Sequence, residues 1–161
     1  MEDILDKIPE AAKDIRITYK NISENSSIKN DIDILSYAVA LNLKNNILID
    51  NLGKKLTDVQ KQAATSAVAL MNMTNVYYSY TELIEEIRQM PAGLRMQAYA
   101  SHGGVDKNTW ERLTLIVSII NKCKNCIRSH VENMKKNQEP PEVIKDIGRL
   151  AASLHAIHKF V

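Results

Sequence analysis

Apolar residues recur at three- and four-residue spacing through most of this chain, and no stretch reads convincingly as a strand. That pattern limits the fold more than anything else does. It predicts an all-α protein, because a helix with one apolar stripe has to bury it against other helices. Predicted helices run over 9–22, with Pro9 in the first turn, and from Ile32 onward, capped by Asn30 or Asp31. A break at Lys44-Asn45-Asn46 precedes a short helix that begins at Ile47 and ends at Gly53. Thr57 has the character of an N-cap for a long alanine-rich helix reaching Met73, in which Ala63, Ala64, Ala67 and Ala69 permit close helix approach. The aromatic run Asn75-Val76-Tyr77-Tyr78-Ser79-Tyr80 has brief strand propensity, and 81–87 reads as helix again. Pro91-Ala92-Gly93 and His102-Gly103-Gly104 mark loops. Helices follow over 106–121 and 123–137, and Pro140-Pro141 opens a last one reaching the C-terminus.

The length suits one all-helical domain over 1–161. A faint internal repeat runs through it. An offset of 78 places Leu35 on Leu113, Val39 on Val117 and Lys44 on Lys122, and an offset of 84 places Val59 on Val143 and Ala67 on Ala151. The expected halves are about 30–75, without cysteine, and about 106–161, where Cys123 and Cys126 replace Asn45 and Leu48.

Charge excludes some functions. With 21 basic and 19 acidic residues intermixed, the formal net charge is +2, and no concentrated basic face for nucleic acid emerges. Lys135-Lys136 reads as the solvated end of a helix. The apolar run from Leu113 to Ile120 is too short to span a bilayer. The opening Met1-Glu2-Asp3 is acidic where a signal peptide is basic, so the expected location is cytoplasmic. In that compartment a Cys-x-x-Cys pair points to catalysis or metal binding, not to a structural staple.

Chemistry concentrates in Cys123-Lys124-Asn125-Cys126-Ile127-Arg128-Ser129-His130. On a helix Cys126 and His130 stack one turn apart, with Cys123 on the same face. The arrangement suits a dithiol that cycles with a disulfide while an imidazole moves protons; it equally suits part of a zinc site. Asn121-Lys122 looks like a break, which puts both cysteines in the first turn of a new helix. There the unpaired N–H groups and the dipole favour thiolate, and Lys122, Lys124 and Arg128 add positive potential. Glu111, early in the preceding helix, lies about 18 Å from Cys123 if the two helices are collinear at about 1.5 Å per residue. If the chain folds back at Asn121-Lys122, Glu111 reaches His130 and orients it, the third-group logic of an activated nucleophile.

The zinc alternative has three ligands and needs a fourth, from Glu111 or His102. His155 and His158 are adequately explained by the dipole at a helix C-terminus. The methionines and Tyr77, Tyr78 and Tyr80 read most simply as core or subunit-interface packing.

Glu111, eleven residues, Cys123-x-x-Cys126, three residues and His130 together resemble the signature of the alkylhydroperoxidase D family, in the wider carboxymuconolactone decarboxylase-like group. Asn75-Val76-Tyr77-Tyr78, Gly93-Leu94-Arg95-Met96 and the run from Leu113 to Ile120 resemble family segments in the same order, so the likeness covers about 32–161. The resemblance implies two related helical halves, a homotrimer, and thiol-dependent reduction of organic hydroperoxides with no bound cofactor. It implies Cys126 as the peroxide-attacking thiolate and Cys123 as the proton donor that closes the disulfide, with Glu111 and His130 as the proton relay. The implied partners are a lipoyl-bearing acyltransferase, which supplies electrons through an external dithiol, and a peroxiredoxin, which receives them. Asn125 stands where family members often carry a second histidine; asparagine accepts no proton near neutral pH, so a shorter relay is expected here. Helix-terminus reasoning alone makes Cys123 the more acidic thiol, whereas the resemblance selects Cys126.

Overall fold

The computed structural model describes all 161 residues, and every regular element in it is helical. The α-helices are α1 (Glu2–Leu5), α2 (Lys13–Asn25), α3 (Ile32–Asn42), α4 (Asn46–Gly53) and α5 (Asp58–Thr81). They continue with α6 (Glu85–Arg88), α7 (Gln97–Ala100), α8 (Lys107–Ile120), α9 (Lys124–Lys136) and α10 (Pro141–Ile157). Helices α3 and α8 form the centre. Residues Ile34 to Ala40 of α3 and Leu113 to Ser118 of α8 are buried without interruption, as expected for helices apolar on all sides. Helix α8 packs against α3, α5, α9 and α10, and the core of 32 buried residues draws on nearly every helix. Ala63, Ala64 and Ala67 are fully buried and let α5 approach closely, whereas Ala69 faces solvent.

Several boundaries differ from the sequence reading. Helix α5 does not stop at Met73: it continues through the aromatic run to Thr81, because Thr74 and Asn75 are buried and no second strand exists to reward an extended backbone. Its start is as expected, with Thr57 and Gln60 forming a reciprocal capping box. The helical reading of 81–87 fails at a turn over 82–84, after which only the four residues of α6 are helical. The first predicted helix begins as a 3-10 turn, Glu10–Ala12, and α2 then runs on through Ser23 to Asn25. Helix α10 stops at Ile157, short of the C-terminus.

Asp31 occupies the N-cap position of α3, yet its carboxylate makes no cap bond. It turns to Arg112 instead. Arg112 also grips Glu139 in a fork, with Nε 3.1 Å from Oε1 and Nη2 2.9 Å from Oε2. Burial works against the Arg112 charge, but the hydrogen bonds and charges of Asp31 and Glu139 outweigh it and hold the guanidinium above its ordinary pKa. The clamp ties α8 to the chain entering α3 and α10, which fixes the helix carrying Glu111. No helix is long and apolar enough to cross a membrane.

Candidate active site

The site is built on the break between α8 and α9. Helix α8 ends at Ile120, Lys122 takes a left-handed conformation with φ 59°, and the amide of Cys123 donates to the carbonyl of Ser118 at 3.2 Å. The chain therefore reverses, and α9 packs antiparallel against α8. Cys123 is the N-cap of α9, and its sulfur accepts from the amide of Cys126 at 3.3 Å, where serine or asparagine oxygen ordinarily sits. The Cα atoms of Cys123 and Cys126 are 5.3 Å apart and their sulfurs lie at disulfide distance. Cys123 is wholly buried; Cys126 reaches a cavity of about 360 Å³ together with His130, Asn125, Tyr99, Met71 and Met96.

A chain of amides holds the turn in place. Asn121 donates to Asn75 at 3.0 Å and accepts from Asn42 at 2.9 Å, while Asn75 donates to Ser118 at 3.1 Å. These bonds knit the ends of α3 and α8 to the last third of α5, and they engage the two residues, Ser118 and Asn121, that shape the Cys123 cap. Each buried amide finds a partner, so the network is rigid where a half-satisfied one is costly.

The reversal also brings Glu111 to His130, with Oε2 3.1 Å from Nδ1. Both side chains are buried. The hydroxyl of Thr114 also lies 3.2 Å from Nδ1, and its own hydrogen is directed at the carbonyls of Trp110 and Glu111, at 3.1 and 3.0 Å. Nδ1 thus faces two acceptors, which assigns a proton to Nδ1 and leaves Nε2 as the nitrogen away from them. Nε2 has no partner within the chain, and the imidazole lines the cavity one turn from Cys126. The other Glu111 oxygen, Oε1, accepts from Tyr99 at 3.1 Å and from Asn133 at 3.3 Å.

All four residues named from sequence, Glu111, Cys123, Cys126 and His130, therefore meet in one place. Lys122, Lys124 and Arg128 are exposed, so water screens most of their field. No group of three or more His, Cys, Asp and Glu side chains is arranged to hold a metal ion. His158 does not follow the dipole reading: burial, then Lys159 and His155, hold its pKa below the ordinary histidine value, and its Nδ1 lies 3.1 Å from the Asn45 amide.

Sequence reasoning missed Tyr99. Its phenol is half-buried, with its ring near parallel to His130 (25° between planes) and edge-on to Trp110 (88°). Burial, then the charge and hydrogen bond of Glu111, push the Tyr99 pKa far above its ordinary value, so the hydroxyl keeps its proton and donates. Gly103 secures this segment. It sits at φ 60°, and a Cβ there would come within 2.7 Å of the Trp110 ring.

Known proteins resemble this chain along most of its length. Residues 85–161 match the carboxymuconolactone decarboxylase family. A protein of Coxiella burnetii named alkyl hydroperoxide reductase AhpD is 32% identical over 94% of this chain and 91% of its own length. This chain belongs to the AhpD family. Proteins of the same name from Frankia alni and Brucella canis are 33% and 32% identical, over 93% and 97% of this chain and 84% and 93% of their own lengths. The AhpD likeness spans both the cysteine-bearing part of the chain and the part without cysteine, whereas the family match begins at α6.

Proposed function

We propose that this chain reduces organic hydroperoxides by cycling Cys123 and Cys126 between dithiol and disulfide. The observation that carries the reading is the convergence of two sulfurs at bonding distance with a Glu111–His130 pair beside a cavity. The name printed for the relatives, alkyl hydroperoxide reductase, supports the substrate class.

In the reduced protein, Nε2 of His130 takes the proton of the Cys126 thiol, and Glu111 stabilises the imidazolium through Nδ1–H. The Cys126 thiolate attacks the terminal oxygen of the hydroperoxide, the O–O bond breaks, and the alkoxide takes the Cys123 thiol proton and leaves as alcohol. Cys126 is then a sulfenic acid. The Cys123 thiolate displaces its hydroxyl, which takes the proton held by His130 and departs as water, and the disulfide forms. An external dithiol such as a lipoyl group restores both thiols by exchange and becomes a disulfide itself. Cys126 takes the attacking role because it reaches the cavity, whereas Cys123 is buried behind it. No bound cofactor enters this cycle.

The same reading carries a lipoyl-bearing acyltransferase as electron donor, a peroxiredoxin as recipient, a homotrimer and a cytoplasmic location. The exposed stripe Met73, Val76, Tyr80 and Leu83 along and just past the end of α5 favours self-association. One observation favours a second emphasis. Asn125 lines the cavity but accepts no proton, so the short relay suits a slow peroxidase that passes electrons to a peroxiredoxin.

The test is consumption of an alkyl hydroperoxide driven by dihydrolipoamide. Cys126→Ser and Cys123→Ser are each expected to abolish turnover, and Glu111→Gln and His130→Gln to slow it about 100-fold, as loss of a general base does. Full activity in either serine variant refutes the cycle. Faster reduction of an oxidised peroxiredoxin than of the hydroperoxide moves the protein to the carrier role.

A further inference from the structure

One polar group at the relay comes from outside α8 and α9. Tyr99 comes from α7, a four-residue helix in the segment between α6 and α8, and its hydroxyl reaches into the relay from the cavity side. It lies 3.1 Å from Oε1 of Glu111 and 3.5 Å from Nδ1 of His130. Glu111 is buried, so the way its two oxygens are used determines which nitrogen of His130 carries hydrogen. With Oε1 occupied by the Tyr99 hydroxyl and the Asn133 amide, Oε2 is the oxygen left for Nδ1.

We propose that Tyr99 is a positioning residue for this proton relay: its hydroxyl pins one oxygen of Glu111, so that the other holds the His130 Nδ1–H and leaves Nε2 free to take the Cys126 proton. The assignment rests on the relay of the preceding subsection. Its physical content is a charge-assisted hydrogen bond to a buried carboxylate, for which an unpaired oxygen is costly. Without that bond Oε1 keeps a single donor at 3.3 Å, the carboxylate is free to turn, and Nδ1 keeps only the Thr114 hydroxyl as a fixed acceptor. Tyr99 makes no hydrogen bond to either sulfur, and its shorter polar contact with the relay is the one to Glu111.

Tyr99→Phe keeps the ring against His130 and Trp110 and removes only the hydroxyl. The readout is the rate of Cys126 alkylation by iodoacetamide from pH 5 to 9, in a Cys123→Ser background that leaves a single thiol. Tyr99→Phe is expected to slow alkylation near pH 7 by about tenfold, the usual size for loss of one hydrogen bond to a charged group, and to move the midpoint of the pH profile upward. In a Glu111→Gln background the same substitution is expected to change the rate less than about twofold, as for two residues acting through one interaction. Long-range ¹⁵N–¹H spectra of His130 provide the second measurement: one Nδ1–H tautomer in the parent, a mixture in Tyr99→Phe. Asn133→Leu, which removes the weaker donor to the same oxygen, is expected to act in the same direction with a smaller effect. An unchanged profile and unchanged tautomer in Tyr99→Phe overturn the assignment, as does an equal effect with and without Glu111. A parent protein that alkylates as expected yet consumes no hydroperoxide sinks the peroxidase reading and leaves the Tyr99 assignment standing.

Discussion

The break between α3 and α4 and the break between α8 and α9 use one backbone device for two purposes. In each, a lysine takes the left-handed conformation, Lys44 at φ 55° and Lys122 at φ 59°. In each, the next amide bonds back to the carbonyl five residues earlier, Asn45 to Ala40 at 3.0 Å and Cys123 to Ser118 at 3.2 Å. That same residue then caps the following helix, with Asn45 accepting from Leu48 at 3.0 Å where Cys123 accepts from Cys126. The difference lies in what the cap is attached to. Asn45 reaches on to His158 and the Val161 carbonyl and ties down the C-terminus, while Cys123 turns to a second sulfur. A helix cap is thus a ready mount for a nucleophile: the amides that satisfy an asparagine oxygen stabilise a thiolate in its place.

The comparison can be broken at three points. The largest effect is expected at the caps themselves. Asn45→Ala removes the cap and both ties to the C-terminus and should cost about 1–2 kcal/mol in urea unfolding. Cys123→Ser, measured against the reduced parent, should cost under about 1 kcal/mol, because serine is itself a favoured cap. Equal losses would mean that the caps are not equivalent mounts. A smaller effect is expected at the lysines. Lys44→Gly and Lys122→Gly each relieve a left-handed side chain but add freedom to the unfolded chain, for a net gain of about 0.5 kcal/mol at either break. A gain at one and a loss at the other would separate the two turns.

The smallest effect is a pH dependence confined to the break without cysteine. Folding lowers the His158 pKa, chiefly through burial, so the unfolded chain binds more protons near and below the ordinary histidine value of about 6.5. The His158 contribution to stability is therefore fully present above about pH 6.5 and fades as pH falls through the depressed folded value. Protonation of Nδ1 also removes the acceptor for the Asn45 amide. The urea midpoint should fall between pH 7 and pH 5 in the parent and fall less in His158→Gln. An identical slope in both would sever His158 from the Asn45 mount.

Much of this was legible in the residues. The all-helical class follows from the periodicity, and the break at Asn121-Lys122 is read from the end of the apolar run Leu113 to Ile120. Once the kink is granted, the meeting of Glu111 and His130 is simple geometry. The failures are equally physical. The aromatic run after Met73 has strand-like side chains, and only burial of Thr74 and Asn75 against the core reveals it as helix. Asp31 has the character of a cap but is drawn to Arg112, a partner 81 positions away. Tyr99 gave no signal because its segment lacks periodicity; its importance comes from α8 and α9, which place Glu111 and His130 against it. The amide chain through Asn42, Asn75 and Asn121 was invisible for the same reason, since asparagine spacing says nothing about partners on other helices.

The two sulfurs are unequally placed: Cys126 lines the cavity wall, and Cys123 is wholly buried. Under the proposed cycle, a thiol arriving from solvent forms its mixed linkage on the outer sulfur, and the inner one departs toward the amide it already caps. Oxidant and reductant would then share a single doorway.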